Sequence, residues 1–111
     1  MRYSVIIPVY NTEAYVEQTL RSIMGQTLRD LTQQSFKDFE VIVVEDGSSI
    51  PCKPVTEKYQ ELLDVHYYDK PNSGPGQTRN YGVERSKGEY LIILDSDCIL
   101  PEGYFLAVEE E

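Results

Sequence analysis

Apolar and polar positions follow two alternating rhythms along this chain. Short β-branched runs open each unit: Ser4-Val5-Ile6-Ile7, Phe39 to Val44, Val65-His66-Tyr67-Tyr68, and Glu89 to Leu94. Continuous apolar runs of this length, closed by Pro, Gly or acidic residues, predict strands covered on both faces, as in a parallel sheet. Between them the period lengthens. Val16, Leu20, Ile23 and Met24 recur at i, i+4, i+7 and i+8, and so do Val55, Tyr59, Leu62 and Leu63. Each set predicts the core stripe of an amphipathic helix. Asn11 or Thr12 is placed to cap the first helix. Pro51 and Pro54 punctuate a loop, and a third helix is predicted from about Gln77 to Lys87, with Gly88 placed to stop it.

Strands alternating with helices predict an α/β fold with a mostly parallel sheet of about four strands, right-handed crossovers and flanking helices. No low-complexity linker divides the 111 residues, so a single domain over 1–111 is expected. After the turn at Pro101-Glu102-Gly103 the pattern starts another helix and stops at Glu111 without a stop signal, which reads as a truncated domain. One segment is unusual. Thr19 to Gln26 (TLRSIMGQ) and Thr27 to Gln34 (TLRDLTQQ) share Thr, Leu, Arg and the final Gln in register. An eight-residue unit is slightly more than two helical turns, so the stripe continues through Leu28 and Leu31. A long first helix, weakened or bent at Gly25, is expected; chance similarity within a helix is the alternative.

Composition narrows the function. With 10 basic and 19 acidic residues the formal charge is −9, which argues against a nucleic-acid surface. If the ligand is a phosphate ester, that balance calls for a bridging cation. The two cysteines, Cys52 and Cys98, lack metal-ligand spacing and read as free thiols in a reducing compartment. No run approaches a membrane span and no signal-peptide pattern opens the chain. A cytoplasmic location is expected, with peripheral attachment at the inner face of the membrane left open for a longer protein.

The candidate chemistry sits where strands end. Pro8-Val9-Tyr10-Asn11, Glu45-Asp46-Gly47-Ser48 and Asp95-Ser96-Asp97 each follow a predicted strand, and parallel strands put all three loops on one sheet edge. Tyr10 offers a flat face to a planar base. Asp46 can accept a hydrogen bond from a base N–H. Asp95 and Asp97 can hold a hard divalent cation, Mg²⁺ or Mn²⁺, against a diphosphate. Each has a plainer alternative: Tyr10 is one of nine tyrosines, Asp46 can be a turn residue, and D-x-D can be a solvated turn. The loop Asn72 to Gly76 precedes a helix carrying Arg79, a candidate anion site at a helix start. Neither a G-x-G-x-x-G nor a P-loop pattern is satisfied. His66, the only histidine, lies on a predicted strand away from these loops and reads as structural.

The series SVIIPVYN, FKDFEVIVVEDGSS and NSGPGQTRNYGVERSKGEYLIILDSD resembles the N-terminal, donor-binding half of family 2 glycosyltransferases with the Rossmann-like GT-A fold, over Ser4 to about Phe105. The resemblance implies transfer of a sugar from a nucleotide diphosphate donor, UDP-sugars in particular, to an acceptor hydroxyl on a sugar or lipid-linked glycan, with inversion. It implies that Pro8, Val9 and Tyr10 line the base and ribose, Asp46 reads uracil, Arg79 lies near base and phosphates, Asp95 is near ribose or metal, and Asp97 is on the metal. The catalytic base is expected beyond Glu111, so no catalytic residue is assigned here. Two departures stand out: the doubled Gln-Thr/Gln-Ser unit, and Glu45 where the family often has aspartate. The alternative is a non-catalytic nucleotide-binding or self-associating module, forming homo-oligomers through surfaces exposed by truncation.

Overall fold

The computed structural model describes residues 3–29, 39–60 and 64–96. Its strands are β1 (Tyr3–Val9), β2 (Phe39–Asp46), β3 (Val65–Lys70) and β4 (Tyr90–Ile93), and its helices are α1 (Glu13–Arg29), α2 (Lys53–Tyr59) and α3 (Pro75–Arg85). The sheet is parallel throughout, in the order β3-β2-β1-β4. From β1 the chain steps outward to β2 and β3, then returns past β1 to β4. Right-handed crossovers therefore put α1 and α2 on one face and α3 on the other. The reversal falls between β1 and β4, and ligand crevices open at the carboxyl ends of strands at such a switch.

Alternation along the strands fills both faces. Val5, Ile7, Val9, Val41 and Val43 meet Val16, Leu20, Ile23 and Tyr59 on the α1–α2 side. Ile6, Ile42 and Val44 meet Tyr68, Tyr81 and Val83 on the α3 side. Each fully buried Val or Ile contributes about 1.5–3 kcal/mol, so β1 and β2 anchor the domain. Gly82 lets α3 approach closely, because a Cβ there would lie 2.7 Å from Ile6 Cγ2.

Several elements differ from expectation for identifiable reasons. β1 does not close at Ile7 but runs through Pro8 to Val9. Its pairing with β4 ends at Ile6–Ile93, so the missing Pro8 N–H falls where that neighbour has already left. β2 continues through Glu45 and Asp46, expected as a turn, because β3 extends to Asp69 and Lys70 and pairs with them. Pro54 lies in the first turn of α2 rather than in a loop; an N–H there would have no helical partner anyway. α3 ends at Arg85 with an extended Ser86, so Gly88 is not its stop. Gly88 is instead required by proximity: a Cβ would lie 2.6 Å from Ser4 N. β4 was expected to be buried, yet Tyr90, Leu91 and Ile93 are exposed, because β4 is the sheet edge.

α1 passes through Gly25 to Arg29, in keeping with a long first helix. Thr12, one of the two expected cap residues, immediately precedes it. Asn11 Oδ1 accepts the Ser49 N–H at 2.9 Å, and the Thr12 hydroxyl pairs with that of Ser96 at 2.5 Å. The side chains of Met24 and Leu28 lie outside the described residues, as do Leu31, Gln34, Leu62, Leu63, Asp97, Cys98 and the Pro101 turn. No helix among the described residues is long and apolar enough to cross a membrane.

Candidate functional site

A cleft of about 460 Å³ opens at the carboxyl edge of the sheet. That volume suits a drug-sized or nucleotide-sized ligand. The structure brings Pro8, Val9, Tyr10, Asp46, Arg79 and Asp95 to its walls, the full set of described residues expected from the sequence. Asp97 lies outside the described residues. Asn72, Gly74, Pro75, Thr78 and Ser96 complete the lining. Thr78 was not anticipated; its spacing of four residues from Gly74, on one face of α3, was the available signal.

The acidic pair at the end of β2 divides its labour because strand neighbours point to opposite faces. Glu45 turns toward α2. It accepts the Cys52 N–H at 2.7 Å, the Tyr67 hydroxyl at 3.0 Å and the Ser48 hydroxyl. Glu45 thus pins the loop that enters α2. Burial and the Glu45 charge push the Cys52 thiol up to about 12 and also raise the Tyr67 phenol. Cys52 is accordingly a buried free thiol with no nucleophilic character at neutral pH.

Asp46 turns the other way, into the cleft. Oδ1 accepts Lys70 Nζ and the Ser73 N–H, each at 2.8 Å. Oδ2 accepts the Gly74 N–H at 3.2 Å and Asn72 Nδ2 at 3.4 Å. A carboxylate has about four acceptor positions, and all are taken. Burial opposes the charge, but the Lys70 ammonium and the Ser73 N–H outweigh it and hold Asp46 below the ordinary carboxylate range. Lys70 also donates to the Pro71 carbonyl at 2.8 Å and to the Ser73 hydroxyl. Sequence reasoning missed Lys70 because it ended β3 at Tyr68.

This clamp shapes the start of α3. Gly47 has φ +72 and a Cβ there would lie 2.8 Å from Asn72 N, so only glycine lets the two loops meet. Gly74, at φ 96, is the N-cap of α3, and the helix start faces the cleft. Helix starts favour anionic oxygens. Arg79 follows on the first turns, exposed, with no hydrogen bond or ion pair among the described residues.

On the opposite wall Asp95 is exposed and likewise has no partner among the described residues. The backbone beneath it is fixed. Thr19 Oγ1 donates to the Ser96 carbonyl at 2.8 Å, and Thr12 holds the Ser96 hydroxyl. Tyr10, 53% exposed, stands at the mouth. The cleft thus presents an aromatic face, a guanidinium beside a helix start and a carboxylate on a pinned turn, both charges unpaired among the described residues. A single exposed carboxylate oxygen donor fits a hard divalent cation, provided that a ligand phosphate completes the shell.

An open parallel sheet with this cleft at its switch point defines a Rossmann-like α/β ligand-binding domain. The chain belongs to glycosyl transferase family 2, whose family model matches residues 4–109. It is 36% identical over 107 residues to the minor teichoic acid biosynthesis protein GgaB of Bacillus subtilis, covering 93% of this chain and 11% of that protein. It is 36% identical over 99 residues to the poly(ribitol-phosphate) beta-N-acetylglucosaminyltransferase TarS of Staphylococcus aureus, covering 87% of this chain and 16% of TarS. The crystal structure of TarS 1-349 with UDP-GlcNAc superposes with a TM-score of 0.86 at 32% identity, over 99% of this chain and 30% of that one. The mannosyltransferase PcManGT of Pyrobaculum calidifontis, solved with GDP-Man and Mn²⁺, shares the fold with a TM-score of 0.80 at 24% identity, over 96% of this chain and 30% of its own. The chain therefore spans between about a tenth and a third of the length of these relatives.

Proposed function

We propose that this chain is the donor-binding part of a glycosyltransferase that moves a sugar from a nucleoside diphosphate carrier, a UDP-sugar, to an acceptor hydroxyl in polysaccharide or glycoconjugate synthesis. The observation that carries this reading is the pair of opposite charges, Arg79 and Asp95, without partners among the described residues and lining one cleft with the exposed ring of Tyr10. The complex of TarS with UDP-GlcNAc supports the choice of carrier.

In this reading Tyr10 stacks on the base. Asp46 accepts the base N–H by giving up its longest contact, Asn72 at 3.4 Å, while its three shorter ones keep the clamp closed. The α3 start and Arg79 take diphosphate oxygens. Asp95 and Asp97 would hold a divalent cation, Mg²⁺ or Mn²⁺. When bound, such a cation neutralises the charge that develops on the leaving diphosphate. The protein's own part is to fix the leaving group before transfer, so that the sugar carbon stays open to attack from the far side and inversion results.

Calorimetric titration of UDP with and without Mn²⁺ tests the assignment. Binding should strengthen at least tenfold with Mn²⁺ and fall to the metal-free level in Asp95→Asn and Asp97→Ala. Equal affinity in all four conditions would remove Asp95 and Asp97 as a metal site, and no binding in any of them would remove the cleft as a diphosphate site. A second reading, a self-associating module, draws on the exposed β4 edge with Leu91 and Ile93. Sedimentation velocity decides it: concentration-dependent dimers support it and a monomer at all concentrations excludes it.

A further inference from the structure

The opposite edge of the sheet holds a second set of ligating groups. Glu40, near the start of β2, has a side chain only 2% exposed. Its Oε2 accepts the Ser4 hydroxyl at 2.6 Å and the Lys87 N–H at 2.7 Å. Its Oε1 receives no hydrogen bond among the described residues and is aimed at His66 Nε2, 3.7 Å away. His66 Nε2 lies 2.9 Å from Asp64 Oδ1. The three ligand atoms fall within 4.8 Å of one another. Six residue steps along extended β2 lead from Glu40 to Asp46, about 20 Å, so this cluster is remote from the cleft.

With His66 Nε2 drawn to Asp64, the buried Glu40 Oε1 keeps only a long contact to that nitrogen, beyond hydrogen-bonding reach. A cation at the centre supplies the missing partner. Ligand atoms held about 2.0–2.2 Å from a tetrahedral ion lie about 3.3–3.6 Å apart. The two N···O separations, 2.9 and 3.7 Å, bracket that spacing. An imidazole beside two carboxylates favours zinc-like ions over Mg²⁺ or Ca²⁺. The Ser4 hydroxyl and the Lys87 N–H fix the Glu40 carboxylate through its other oxygen and so aim Oε1 at the centre of the set. His66 and Asp64, 42% and 48% exposed, leave a way in.

We propose that Glu40, Asp64 and His66 form a binding site for a zinc-like divalent cation, distinct from the cleft. The ion would join the starts of β2 and β3. Through Ser4, whose hydroxyl accepts the Gly88 N–H at 2.8 Å, it would also brace β1 and the turn before β4.

The chain contains one histidine, so its imidazole gives a single reporter. Zn²⁺ is titrated into the untagged chain while the imidazole nitrogens are followed by long-range ¹H–¹⁵N NMR. The expected result is a shift of the Nε2 resonance that saturates at about one equivalent, as a single three-ligand site requires. Mg²⁺ should leave the resonance in place. The Zn²⁺ response should persist in Asp95→Asn and weaken at least tenfold in Asp64→Ala, an exposed position that leaves the core intact. An imidazole unmoved by Zn²⁺, or a response lost in Asp95→Asn and kept in Asp64→Ala, would overturn the proposal.

Discussion

Two buried carboxylates stand at opposite edges of one sheet, and their surroundings are completed differently. Asp46, at the carboxyl edge, fills its acceptor positions with Lys70, Ser73, Gly74 and Asn72. Glu40, at the amino edge, fills one oxygen and leaves the other facing His66. The saturated carboxylate is an anchor, and around it the side chains of Tyr10, Arg79 and Asp95 have no partners among the described residues. The half-satisfied carboxylate is itself part of a binding set. A site can thus be made either from open groups on a closed frame or from an opening within the frame.

Breaking the closed frame should have the largest effect. Asp46→Ala strands a lysine whose side chain is only 10% exposed, together with two loop N–H groups. Removing one member of a buried pair costs about 3–5 kcal/mol, which urea unfolding would register as a lowered midpoint. A loss under about 1 kcal/mol would mean that Lys70 finds water instead. Next comes Glu40→Ala, which leaves the Ser4 hydroxyl and Lys87 N–H without their acceptor, at about 1–3 kcal/mol. Thermal melts with Zn²⁺ should widen the gap between this variant and the parent, because only the parent gains from the ion.

Acid should reveal the same contrast more gently. Because Asp46 titrates below its ordinary value, the clamp's contribution is complete above about pH 4. It is lost as the pH falls through the lower folded-state value, since the unfolded chain takes up the proton first. Asp46→Asn should flatten that acid limb of the stability curve; an unchanged limb would separate Asp46 from acid unfolding. The smallest effect on stability belongs to the open groups. Arg79→Ala and Asp95→Asn should each stay within about 0.5 kcal/mol of the parent on unfolding, as partnerless surface groups do. Yet each should weaken UDP binding about tenfold or more, the size of a charge-assisted hydrogen bond.

The alternation of strands and helices was legible because β1 and β2 are covered on both faces and leave uninterrupted apolar runs. Five of the six expected cleft residues were legible because parallel strands carry their ends to one edge, and Arg79 because a Gly/Pro loop announces the start of α3. Four features were not, and each depends on a distant neighbour. The burial of Glu45 and Asp46 needs β3 to extend to Lys70, which a polar Asp69-Lys70 pair conceals. Pro8 reads as a strand end unless one knows that β4 departs at Ile93. Gly88 reads as a helix stop, although its role is set by Ser4 across the sheet. The closeness of His66 to Glu40 was hidden as well, because only the pairing of β2 with β3 brings the two together.

In the proposed function the carboxyl edge binds a nucleoside diphosphate through groups left open around the Asp46 anchor. Amide NMR of the chain titrated with UDP and Mg²⁺ tests it most directly. Shifts should concentrate at Tyr10, Gly74, Arg79 and Asp95, with the Lys70 and Ser73 signals following and those of Glu40 and His66 unmoved. A spectrum unchanged at saturating UDP, or changes gathered around Glu40 and His66, would contradict the account.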